Sequence, residues 1–189
     1  MLIMDVQNVV VEHYAANAQR VLPALQAASA GARQAGVPII YVRVGFREGT
    51  PDVSPRNLLL SSVAKSGGMG EAEPATQIHP AVVPQAGDIV VIKKRVSAFS
   101  GSDLEVVLRS LGIDSLVLSG IATSGVVLST LRQASDLDYE LTVLRDCCDD
   151  TDAEVHRVLL DRVFPRQAAV VTSEEWIDQL GRGRSVAGG

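Results

Sequence analysis

The chain has 189 residues, a formal net charge of −5 and 47% hydrophobic residues, enough for one domain with a substantial core. The negative balance argues against a nucleic-acid footprint, and no apolar run approaches the roughly 18 residues of a membrane span. The opening "MLIMDVQNVV" meets an acid at Asp5 with no basic stretch before it, unlike a secretory leader, so a soluble cytoplasmic protein without a membrane partner is expected.

Along the chain, apolar β-branched runs alternate with helical patterns, which reads as a parallel sheet covered by helices. The first strand is expected at residues 1–4 and short, since only four residues precede Asp5. A long helix over 16–34 follows, with Gly36 as its C-cap glycine, and then a strand over 38–44. Residues 45–87 break the rhythm: they hold most of the prolines and "KSGGMGEAEP", with one short helix near 55–65. Connections of that length in compact α/β domains are usually lids or binding loops. Further strands are expected at 88–92, 115–119, 140–144 and 168–171, and helices at 104–110, 125–135, 153–163 and 174–180. "DTDAEVHRV" supplies capping side chains before an apolar helical pattern. The ending "GRGRSVAGG" lacks such a pattern, which makes 1–180 the domain and 181–189 an expected disordered tail.

Chemistry-bearing residues fall at strand ends, where parallel α/β sheets bind ligands. Asp5 closes the first strand, in "LIMDVQ", and Lys93 closes another, in "DIVVIKKRVSAFSGSDL". An acid and a lysine paired in one crevice can hold, donate or accept a proton. Lys94 is the adjacent alternative, but strand alternation points it to the other side. A third strand end is the small-residue turn "SGIATSG", which opens into a helix whose first free N–H groups would face the site. The two cysteines, Cys147 and Cys148, are neighbours and read as small buried hydrophobes rather than a disulfide.

These motifs, from "IMDVQN" through "KKRVSAFSGSDLE" and "LVLSGIATSGVVLSTLRQA" to "VTSEEW", resemble the isochorismatase-like hydrolase superfamily over nearly the whole chain. The resemblance implies a Rossmann-like three-layer α/β/α fold with a six-stranded parallel sheet, and commonly a homo-oligomer, dimer or tetramer. Amidase members use an Asp–Lys–Cys triad, which carries over as Asp5 and Lys93. The third member departs from the pattern. The family turn Gly-x-x-Thr-x-x-Cys aligns without gaps from Gly120 and Thr123 onto Val126, and the nucleophile is absent. The family's oxyanion hole would take its donors from the N–H groups of Ala122 and Val126, in the turn that includes Thr123 and Gly125, and the non-proline cis peptide often found beside it would join Ile121 to Ala122.

Three readings stay open for a turn without a thiol. Isochorismatases also lack the cysteine and cleave an enol ether with a proton from the aspartate, a role open to Asp5 here. A hydroxyl of Thr123 or Ser124 could attack, although capping the helix suits both better. The third reading is a catalytically silent homologue that binds a small molecule or serves a structural role. Nicotinamidases carry an Asp-x-His metal motif where this chain has "YVRVGFREGTPD", so neither metal nor cofactor is expected. Arg43 and Arg47 at that mouth could grip a substrate carboxylate, or pair with Glu48 and Asp52. Gln7, Phe46 and Phe99 complete the candidate substrate-binding residues, Phe99 being equally suited to the core.

Overall fold

The structure is a computed structural model and describes residues 1–13 and 15–186. Six strands, β1 (Leu2–Met4), β2 (Ile40–Val44), β3 (Ile89–Lys93), β4 (Ser115–Ile121), β5 (Glu140–Asp149) and β6 (Ala169–Val171), form one sheet in the order β3-β2-β1-β4-β5-β6. Every neighbouring pair is parallel. The chain winds outward from β1 through β2 to β3, then returns to β4 on the other side of β1. The order of strand connection therefore reverses between β1 and β4, the crevice where such sheets bind ligands.

Strand alternation divides the core into two layers. On one face, Leu2, Met4, Ile40, Val42 and Val91 pack with Leu104 and Leu108 of α4 (Leu104–Ser110), Leu131 and Ala134 of α5 (Leu128–Asp136), and Leu159, Leu160 and Phe164 after α6 (Ala153–Val158). On the other, Ile3, Ile39 and Tyr41 meet Val21, Leu25, Ala28 and Ala32 of α2 (Ala15–Ala35) and Trp176 of α7 (Ser173–Val186). The expected three-layer α/β fold is present.

Several boundaries differ from the sequence pattern. A short helix α1 (Asn8–His13) follows β1, where three valines in a row give no helical period. β5 runs on to Asp149, because the "LRDCCDD" segment keeps pairing with β4 beyond a register shift between Leu118 and Gly120. Helix α7 continues to Val186, so Gly181–Val186 extend a helix where a tail was expected; residues 187–189 lie outside the described residues. Gly36 does close α2, at φ 72 with its N–H bonded to the Arg33 carbonyl at 3.0 Å. Asp152 caps α6 by accepting from the N–H groups of Glu154 and Val155. Among the described residues, no helix is long and apolar enough to cross a membrane.

Candidate active site

Two backbone features bring the candidate residues together. Gly120 sits at φ 138, and a Cβ there would lie 2.1 Å from the Met4 carbonyl oxygen. Only glycine lets the end of β4 run this close to the end of β1. Asp5 adopts φ 55, a left-handed conformation that aspartate tolerates better than most residues, while its N–H donates to the Val42 carbonyl at 2.8 Å. The strand stops there, at the mouth of the β1–β4 crevice.

Lys93, at the end of β3, reaches across to Asp5: its Nζ lies 2.7 Å from Asp5 Oδ2. The same ammonium donates to the Val96 carbonyl at 2.7 Å. That carbonyl is held in place because the following segment is stitched to α5. Ser97 Oγ donates to Gln133 Oε1 at 2.7 Å, and the Ala98 N–H donates to Thr130 Oγ1 at 2.9 Å. Both Asp5 and Lys93 are buried, and burial raises the Asp5 carboxyl above its ordinary value while Lys93 pulls it back. The other carboxylate oxygen, Asp5 Oδ1, is buried without a hydrogen-bond partner. Lys94 points elsewhere: its Nζ donates to the Gly45 carbonyl at 2.6 Å and pairs with Glu71.

After β4 the Ile121–Ala122 peptide is cis, and a π-helical turn, Thr123–Val127, leads directly into α5. Two residues that sequence reasoning missed hold this turn. Asp150 Oδ2 accepts from the Ser124 N–H at 2.7 Å, and His156 Nδ1 lies 2.8 Å from Thr123 Oγ1. Burial pushes the His156 imidazole below its ordinary value. Both fall just after β5, in "DCCDDTDAEVH", and acids beside a strand end with a histidine in the next helix were the available signal.

A cavity of about 410 Å³ lies between these parts. Asp5, Lys93, Ala122, Gly125 and Val126 line it, with Ser124 and Arg95. Thr123 is buried behind the wall. The roof comes from the long 45–87 connection, whose helix α3 (Leu58–Ser66) contributes Leu59, Leu60 and Val63. Asn57 starts this helix, its side chain accepting from the Leu60 N–H. The connection thus covers the site, as its length led one to expect.

The remaining candidates are placed outside this lining. Gln7 is buried and spent on backbone: its Nε2 donates to the carbonyls of Val44 and Thr76 at 2.8 and 2.7 Å, and its Oε1 accepts from the Val44 N–H. Arg43 is buried too, donating to the Glu71 carbonyl at 3.0 Å. Arg47 pairs with Asp52 on an exposed loop. Phe46 packs against Leu60 and Met69 under the roof, and Phe99 belongs to the core beside Tyr139, with ring centroids 6.0 Å apart. Cys147 and Cys148 are buried away from the cavity; desolvation raises both thiols, Cys148 to about 12. Among the described residues, no group of three or more His, Cys, Asp or Glu side chains is arranged to hold a metal ion.

This architecture has known counterparts. Residues 1–175 match the Isochorismatase domain. An uncharacterized isochorismatase family protein, YwoC, of Bacillus subtilis is 36% identical over 144 residues, covering 75% of this chain and 74% of that one. Ureidoacrylate amidohydrolase RutB of Pseudomonas syringae pv. syringae is 34% identical over 175 residues, covering 85% and 68%. Among solved structures, a cysteine hydrolase from Pseudomonas syringae pv. phaseolicola superposes with a TM-score of 0.88 over 96% of this chain and 91% of that one, at 24% identity, a likeness of fold. The chain belongs to the isochorismatase family.

Proposed function

We propose that the protein hydrolyses a small molecule with Asp5 as the proton-handling group, Lys93 as its electrostatic partner, and no cysteine nucleophile. The observation that carries this reading is the Asp5 carboxylate, which lines the cavity, holds Lys93 through Oδ2 and has a buried Oδ1 that no protein group satisfies. Lys93 fixes the orientation of this carboxylate at the cavity wall, from which it can exchange a proton with a ligand. Burial raises the Asp5 carboxyl, which favours the protonated, donating form.

Val126 stands where the family pattern has its cysteine, and both cysteines of this chain lie away from the cavity. The turn keeps a role: the N–H groups of Ala122 and Val126 are the donors for a substrate oxygen. On an enol ether, Asp5 delivers its proton to the vinyl carbon and water adds to the cation so formed. The hemiketal then splits, and a proton returns to Asp5. Similarity to amidohydrolases, including the maleamate amidohydrolase of Pseudomonas putida (28% identical over 149 residues, 79% of this chain and 69% of that one), makes amides the second class to try. A dimer or tetramer is part of this reading, with Leu58 of α3, 82% exposed, as an apolar contact for it.

The test is a panel of enol ethers, esters and amides offered to the native protein. Turnover of any of them by the native chain, lost in Asp5→Asn, supports the reading. A panel that yields binding without turnover replaces it with the silent small-molecule-binding homologue.

A further inference from the structure

We propose that the cavity takes substrates built as a compact hydrocarbon body carrying one polar reacting head, and that helix α3 sets this preference. The proposal rests on the site described above but concerns the part of the substrate that does not react.

The two cations of the lining each have protein partners. Lys93 is held by Asp5 and the Val96 carbonyl. Arg95 Nη1 donates to the carbonyls of Asp52 and Lys94 at 2.8 and 2.7 Å. The Asp5 carboxylate, whose buried Oδ1 has no protein partner, and Ser124 complete the polar side of the lining. The larger part of the lining is hydrocarbon: Leu59, Leu60 and Val63 from α3, Val10 from α1, Val44 from the end of β2, and Val126. A body rich in hydroxyls or charges would leave those groups desolvated against valine and leucine, which costs binding. A hydrocarbon body loses nothing there. At about 410 Å³ the cavity lies within the range of small-molecule sites.

Straight-chain primary amides from butanamide to heptanamide test this, because the amide head can meet the Asp5 carboxylate and the N–H groups of the turn. Affinity, measured by NMR titration or calorimetry, should rise about fourfold per added methylene, the factor expected for full burial of one CH₂. The ω-carboxylate of equal length should bind more weakly. Val63→Asn should flatten the series, and so should Leu59→Asn at the exposed mouth, where folding is not at stake. A flat series in the native protein, or tighter binding of the carboxylate, overturns the proposal. Asp5→Asn separates the two ideas: it should retain the chain-length dependence even if the hydrolytic reading fails.

Discussion

Lys93 Nζ lies 2.7 Å from Asp5 Oδ2, an ion pair assembled from two strand ends and closed off from solvent on all but the cavity side. Its members are far from equivalent in what they leave behind. Lys93→Ala strands a carboxylate already raised by burial, and removing one partner of a buried pair costs about 3–5 kcal/mol. Chemical denaturation at neutral pH should show that loss. The folded-state value of Asp5 lies above its unfolded value, so protonation favours the fold: the deficit should shrink at acid pH and grow as pH rises through the raised value. The double variant Asp5→Asn with Lys93→Met should recover much of the loss, since no unpaired charge remains.

The same carboxyl predicts the direction of a pH–rate profile. If Asp5 donates its proton, kcat/KM falls as pH rises through the free-enzyme value of Asp5, which burial holds above the ordinary carboxyl range. Profiles measured on any substrate found should carry this alkaline limb, and Lys93→Met should move it upward by removing the charge that lowers it. A limb falling toward acid pH would instead make Asp5 a base.

Much of this was legible in the residues themselves. The β-branched runs located six strands, and the strand-end positions of Asp5, Lys93 and the turn after Gly120, with the family resemblance, suggested one shared crevice. What escaped was set by tertiary contact. Gln7 and Arg43 look like ligand-gripping side chains in sequence, but the 70–79 segment folds back over the ends of β1 and β2 and takes their hydrogen bonds. The roof was expected from the length of residues 45–87, yet α3 carries its apolar wall in "LLLSSVAKS", whose run of leucines does not say which one turns inward. Asp150 and His156 act on the turn from 26 and 33 residues away, a pairing that no local pattern records.

Gly120 offers a check on the geometry that depends on no substrate. A methyl group at this position meets the Met4 carbonyl oxygen at 2.1 Å, backbone against backbone, so neither side can rotate away. Gly120→Ala should destabilise the fold by on the order of 3 kcal/mol or more, read by thermal or chemical denaturation. Gly112, which has nothing within 4 Å of an added Cβ and φ 63, should accept alanine with a much smaller loss.

Thiol chemistry separates the native cysteines from position 126 in the turn. Cys147 and Cys148 are buried with raised thiols, so iodoacetamide should label the folded protein far more slowly than the unfolded one. Val126→Cys puts a thiol on the cavity wall near Lys93, and it should react faster than either native cysteine. Mass spectrometry of timed samples reads both rates. A thiol at 126 as slow as the native pair would contradict an activating environment at the turn.

The most direct measurement compares turnover in three proteins on one substrate drawn from the enol ether, ester and amide panel: native, Cys147→Ala/Cys148→Ala, and Asp5→Asn, each confirmed folded by circular dichroism. Hydrolysis centred on Asp5 without a thiol predicts rates within a few-fold for the first two, and a loss of at least roughly a hundredfold in the third, the lower range for removing a general acid–base group. Activity that survives in Asp5→Asn, or disappears with the cysteines, would contradict it.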